Sequence, residues 1–174
     1  MNLHEIEQIL PHRKPMLLLD EATVDDEGNA RGSLYITGDE YFVQGHFPGN
    51  PIVPGVIQCE ILAQTCCVLM AEGIEGATPF FTGIDKVKFR NPVRPGDTFE
   101  TVCTIIKSRE PFYWAKGSGY VNGKLCVAGE FSFALIKQDP AAEAAPAADA
   151  AAPAATTPAD VATAAEPTTP ATEQ

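Results

Sequence analysis

Residues 45–73 read GHFPGNPIVPGVIQCEILAQTCCVLMAEG, and the change of character at Pro54-Gly55 decides what the rest of the chain must build. From Tyr41 to Gly55 three prolines (Pro48, Pro51, Pro54) are interleaved with Gly45, Gly49 and Gly55. Proline fixes φ and glycine permits angles that other residues avoid, so this stretch is a shaped loop. Pro54-Gly55 then opens a helix over about residues 56–72, closed by Gly73. Its sequence, VIQCEILAQTCCVLMAE, is apolar on nearly every face, and a helix apolar all round is expected to be buried all round.

Such a helix needs a wrapper, and the flanking sequence supplies strands. Residues 3–9 suit a short helix, with Ile6 and Ile9 on one side and Pro11 closing it. Residues 16–37 read as a hairpin about the turn Asp25-Asp26-Glu27-Gly28-Asn29. Beyond the buried helix, β-rich runs at about 80–89, 97–109, 112–121 and 124–136 are divided by Asn91-Pro92, Pro95-Gly96, Glu110-Pro111 and Asn122-Gly123. The last is a strong two-residue hairpin signal. The expected fold is α+β: one antiparallel sheet curled around a central buried helix.

The 174 residues do not all belong to that unit. Residues 138–174 contain 16 Ala, 6 Pro and 6 Thr, with no aromatic residue and one large aliphatic, Val161. That composition buries too little apolar surface to offset ordering, so a domain over 1–137 and a disordered acidic tail over 138–174 are expected. The formal net charge is −11. Six tail acids without a base account for −6, leaving 17 acids against 12 bases, or −5, in the domain. This balance argues against a nucleic-acid binder. Cys59, Cys66, Cys67, Cys103 and Cys126 include no CxxC pair, which favours free buried thiols in a reducing compartment over a disulfide framework or a zinc site. The N-terminal MNLHEIEQIL is no secretory signal, and the apolar run around 56–71 carries Gln58, Glu60 and Gln64 and is too short for a bilayer. A cytoplasmic protein without membrane insertion is expected.

Two polar residues stand out. Glu60 lies in the second turn of the apolar helix, where desolvation suits a carboxylate to hold a proton near neutral pH. Gln64, one turn on, is placed to hydrogen-bond and orient it. His46 sits in the proline-glycine loop, and Gly55 places an amide at the start of the helix, where unpaired N–H groups suit a carbonyl oxygen gaining negative charge. A base, an amide donor and a carboxylic acid together fit proton abstraction beside a carbonyl followed by loss of a leaving group.

GHFPGNPIVPGVIQCEILAQ (45–64) resembles the active-site segment of the bacterial β-hydroxyacyl-[acyl-carrier-protein] dehydratases of fatty acid synthesis. ILPHRKPMLLLDEA (9–22) resembles their N-terminal signature, and GIDKVKFRNPVRPGD (83–97) their post-helix strand and turn. The resemblance covers about residues 3–136. It implies a hot-dog fold, a homodimer whose sheets join, often three such dimers in a hexamer, and sites that take the histidine and glutamate from opposite subunits. It further implies His46 as base, Glu60 as acid toward the departing β-hydroxyl, the Gly55 amide on the thioester carbonyl, and Gln64 as the residue orienting the carboxylate. No cofactor or metal is implied. The branch that also isomerises its product usually has Asp where this chain has Glu60, which favours the simple dehydratase. Met16 stands where the family often has Phe, and Cys59 where it usually has an aliphatic residue; packing is the expected role of Cys59. His12 and Arg13 belong to the N-terminal signature and are read as structural, with a role near the tunnel mouth as the alternative.

Carrier proteins of that pathway are acidic, so docking on an acidic domain requires a local basic surface. Lys86, Lys88, Arg90 and Arg94 place four positive charges in nine residues. Alternation sets the first three on one strand face, with Val87 and Phe89 toward the core. The competing readings are a hot-dog acyl thioesterase and a non-catalytic acyl-chain binder. The pairing of a loop histidine with a helix glutamate fourteen residues later favours elimination.

Overall fold

The computed structural model describes residues 1–71 and 76–137. The tail expected over 138–174 lies outside them. In chain order the elements are α1 (Leu3–Ile9), β1 (Glu21–Val24), β2 (Ala30–Tyr35), α2 (Gly55–Cys67), a 3₁₀ turn (Val68–Met70), β3 (Ala77–Phe89), β4 (Thr98–Arg109), β5 (Phe112–Val121) and β6 (Lys124–Lys137). The six strands form one antiparallel sheet in the order β1-β2-β4-β5-β6-β3. α2 packs on its inner face. This is the curled sheet around one helix that the apolar run at 56–72 demanded.

Local chemistry explains the elements. Asn2 and Glu5 form a reciprocal capping box at the start of α1. Asn122 and Gly123 both take positive φ, as a tight hairpin between β5 and β6 requires. α2 approaches the sheet closely because Gly32 and Gly117 lie beneath it. A Cβ at Gly32 would stand 2.6 Å from Thr65 Oγ1, and one at Gly117 would stand 3.2 Å from Leu62 Cδ2. The hydroxyls of Thr65 and Thr101 lie 2.7 Å apart in this contact, and Thr101 donates to Gly32 O, so the buried polar groups are paired and fix the helix against β2 and β4. Ile61, Leu62, Cys66, Phe99, Val127 and Phe131 fill the space around them.

Three expectations need correction. The first hairpin strand begins at Glu21, not Met16, because Met16 O and Leu18 N–H bond to the Gln64 side chain of α2. α2 ends at Cys67, where the Val68 amide reaches Thr65 O and tightens the helix into the 3₁₀ turn; Glu72 lies outside the described residues. Nor is α2 buried all round: Val56 is 73% exposed, and Ile57, Glu60 and Ala63 are only partly covered. The uncovered side runs toward β3, at the edge of the sheet.

Candidate active site

Glu60 is held from two directions. Gln64, fully buried one turn along α2, donates from Nε2 to Glu60 Oε1 at 2.8 Å. The same amide group donates to Met16 O at 2.8 Å, while its Oε1 accepts from Leu18 N–H at 2.8 Å. These partners settle which end of the amide is which, since only the nitrogen donates. Gln64 thereby ties the carboxylate to the segment between α1 and β1. On the other side, His12 Nε2 lies 3.5 Å from the same Glu60 oxygen. His12, Glu60, Ala63, Gln64 and Cys67 line a cavity of about 60 Å³ that is closed by Pro79, Phe80 and Phe81 of β3 and Phe133 of β6. Glu60 is half-buried in this position, its side chain 21% exposed, so the fully buried carboxylate expected from an all-apolar helix is corrected.

His46 stands elsewhere. Its loop is a tight turn in which Phe47 and Asn50 exchange backbone hydrogen bonds and Ile52 N–H donates to His46 O at 2.8 Å. The ring stacks on Phe47 and its Nδ1 lies 3.0 Å from Ile52 O. A carbonyl oxygen only accepts, so this contact places the proton on Nδ1 and leaves Nε2 with its lone pair, the form a base requires. Val53 N–H bonds to Val93 O, and Arg94 donates to Asn50 Oδ1 at 2.7 Å, so the loop is pinned to the segment leaving the Phe89 end of β3. Gly55 lies at the same end. A Cβ there would stand 2.7 Å from Phe89 Cζ, so a side chain at this position displaces the ring. As the first residue of α2, Gly55 presents an amide with no acceptor inside the helix.

Within the described residues no hydrogen bond or ion pair joins His46 to Glu60. Gln64 and Glu60 come together at the Phe80–Phe81 end of β3, and His46 and Gly55 at the Phe89 end. His12, read from sequence as structural, belongs with Glu60. Nothing in the sequence marks this, because the two residues are 48 positions apart and meet only through the Gln64 bonds.

The basic cluster is divided too. Lys86, Lys88 and Arg90 line a broad concavity of about 1150 Å³ on the outer face of the sheet, together with Arg31 and Lys116 and the acids Glu21, Glu100 and Glu130. Lys86 is paired with Glu130 at 2.9 Å, which pushes its pKa up. Arg94 does not line this concavity; it follows β3 and bonds to Asn50 of the His46 loop. Two details expected across 86–90 are corrected: Lys86 has φ 52° in a β-bulge between Asp85 and Lys88, and Phe89 is 53% exposed, not core. All five cysteines are free and buried. Burial pushes the Cys59, Cys66, Cys67 and Cys103 thiols up, away from the nucleophilic thiolate.

The family model for ApeI-like proteins, described as ApeI dehydratase, matches residues 21–129. The 3-hydroxyacyl-[acyl-carrier-protein] dehydratase FabZ of Clostridium beijerinckii is 44% identical over 140 residues, covering 78% of this chain and 99% of that protein. The chain belongs to the FabZ family of dehydratases. A second FabZ, from Caulobacter vibrioides, is 39% identical over 147 residues, covering 82% of this chain and 92% of that one. Among solved structures, the dehydratase heterocomplex ApeI:P of Xenorhabdus doucetiae aligns with a TM-score of 0.66 at 18% identity, over 78% of this chain and 92% of that one. The fluoroacetyl-CoA thioesterase FlK aligns with a TM-score of 0.54 at 15% identity, over 63% and 86%. At those identities the structural likeness speaks for the hot-dog fold alone. The Clostridium and Caulobacter relatives, by contrast, place the chain in FabZ, a family of hydro-lyases.

Proposed function

We propose that this chain dehydrates 3-hydroxyacyl groups carried on acyl carrier protein to trans-2-enoyl groups in fatty acid biosynthesis, in sites completed across a homodimer. The carrying observation is the separation of the two half-sites along β3. Phe80–Phe81 and Phe89 are roughly 27 Å apart at the rise of a β-strand. Phe80, Phe81, Ile84 and Phe89 are all exposed on this 13-residue edge strand, which has no neighbour on its outer side among the described residues. A long, exposed, apolar edge is a template for pairing. A second copy laid antiparallel along it brings the Phe89 end of one β3 against the Phe80–Phe81 end of the other. His46 and Gly55 of one subunit then face Glu60 and Gln64 of its partner.

In that site His46 Nε2 takes the α-proton, and the electron pair moves onto the thioester carbonyl oxygen, which the Gly55 amide holds at the positive end of α2. As the pair returns to form the α,β double bond, the β-carbon–oxygen bond breaks. Protonated Glu60 gives its proton to that oxygen, which leaves as water. Gln64, bonded to Glu60 Oε1, turns Oε2 toward the reactant. The acyl carrier protein docks on the Lys88–Arg90 face of the outer sheet. Five free buried thiols suit the reducing cytoplasm. No helix of the described residues is long and apolar enough to cross a membrane.

The test follows the enoyl thioester by its ultraviolet absorbance. His46→Ala and Glu60→Gln are each expected to lower the rate by ~10²–10⁴-fold, the contribution of a proton-transfer group. Release of free thiol without enoyl product would instead identify a thioesterase.

A further inference from the structure

We propose that His12 is a positioning residue for Glu60, holding one carboxylate oxygen so that the other carries the proton delivered to the departing hydroxyl. The inference rests on the reading of Glu60 as the acid. Two nitrogens converge on Glu60 Oε1, Gln64 Nε2 at 2.8 Å and His12 Nε2 at 3.5 Å, and none of the described residues donates to Oε2. At 3.5 Å the His12 contact is an ion-pair distance longer than a hydrogen bond, and catalytic contacts in unliganded sites commonly tighten when the reactant binds. The other ring nitrogen sets the tautomer. His12 Nδ1 is buried and has no hydrogen-bond partner among the described residues. A proton there would leave an unsatisfied donor, which costs more than a bare lone pair in a half-buried ring. The proton therefore belongs on Nε2, the nitrogen nearer Glu60.

The segment is built to keep the ring in place. Arg13 donates to Leu10 O and His12 O, Leu10 is buried, and Gln64 binds Met16 O and Leu18 N–H on the far side. Within one subunit the titratable groups facing Glu60 in this cavity are His12 and, on α2, Cys67, whose thiol burial pushes up and keeps neutral; in the proposed dimer, His46 of the other subunit joins them. β3 and β6 contribute only Pro79, Phe80, Phe81 and Phe133. A donor to the carboxylate favours its charged form. It makes Glu60 a better proton donor to the leaving oxygen.

Replacing His12 by Phe keeps the ring and removes the donor. His12→Phe should lower kcat about tenfold, the order expected for one hydrogen bond to a charged group, with KM nearly unchanged. Removing a donor from a carboxylate disfavours its charged form, so the alkaline limb of the rate profile should move to higher pH. His12→Gln, which restores a donor, should recover most of the rate and return the limb toward its original place. In a Glu60→Gln background, His12→Phe should have no further effect on the rate. The inference is overturned if His12→Phe leaves kcat and the limb unchanged. It is equally overturned if both His12 variants fall together with the limb unmoved, which is the signature of a packing role. If Glu60→Gln retains full activity, the reading of Glu60 as acid fails first. If Glu60→Gln is inactive while His12→Phe is unaltered, only the role of His12 fails.

Discussion

The two edges of the sheet are built to opposite ends. β1 is four residues long, and the chain's own N-terminus lies against it: Met1 exchanges backbone hydrogen bonds with Ala22, N–H to O at 3.1 Å and terminal amine to O at 2.6 Å. β3 is 13 residues long, and its inner side ends in Phe81, Ile84 and Phe89, which are 40%, 49% and 53% exposed. With Met1 paired on β1 and a long apolar edge bare at β3, the second edge is the one that fits the proposed partner. Under the proposed reading each end of β3 carries half of the chemistry, and the edge that would organise assembly would also organise the site.

The strongest way to break this comparison is to charge the β3 edge. Ile84 lies near the middle of β3, close to where a twofold axis would pass, so Ile84→Asp brings two new like charges together in a dimer. Ile84 is half-exposed in the single chain, so the fold should survive. The variant should sediment as a monomer and lose ~10²–10⁴-fold in dehydration rate, since each site is deprived of its base or its acid. Val24→Lys on the β1 edge is the matching control. It should leave assembly intact and activity within about twofold, as exposed substitutions generally do. A monomeric Ile84→Asp enzyme with full activity would place the whole site within one chain.

Mixing inactive subunits sharpens the same point. After exchange of equal amounts of His46→Ala and Glu60→Gln chains, half of the dimers are mixed and each holds one intact site of two, so activity should recover to about a quarter of the unmodified enzyme. If His46 and Glu60 served within one subunit, every chain would remain defective and nothing would return.

The sequence displayed the fold well and the site in halves, for one physical reason. Periodicity reports which face of an element is apolar, and turn chemistry reports where it stops. Asn122-Gly123, Glu110-Pro111 and the alternation of β5 therefore placed the strands within a few residues. Periodicity cannot report whether the cover comes from the same chain. Phe89 reads as core, yet its ring is 53% exposed and one side of α2 is only half-covered within the chain. His46, Gly55, Glu60 and Gln64 were visible because an unusual loop meets a helix whose polar residues are few. His12 was not, because its contact with Glu60 depends on Met16 and Leu18 satisfying their backbone groups on Gln64 instead of in a strand, a choice made by tertiary packing. The strand start expected at Met16 failed for the same reason.

The smallest expected effect concerns the outer face, where the basic cluster resolved into unlike parts. Lys86 is engaged by Glu130 and Arg94 by Asn50, while Lys88 and Arg90 are exposed and line the outer concavity. If an acidic carrier docks there, Lys88→Glu with Arg90→Glu should slow turnover of carrier-linked substrate by about three- to tenfold at low ionic strength, because exposed charges act mainly on encounter rate. The loss should shrink as salt rises and the Debye length falls below the spacing of the partners. A short pantetheine thioester, which needs no docking, should turn over nearly as before, because neither side chain touches His46 or Glu60. Arg94→Ala should behave in the opposite way. It frees Asn50 and loosens the loop that holds His46, so both substrates should slow together, with no dependence on salt. Equal losses on both substrates from the Lys88 and Arg90 reversal would remove the distinction between the docking face and the catalytic loop, and would assign all four basic residues to the site.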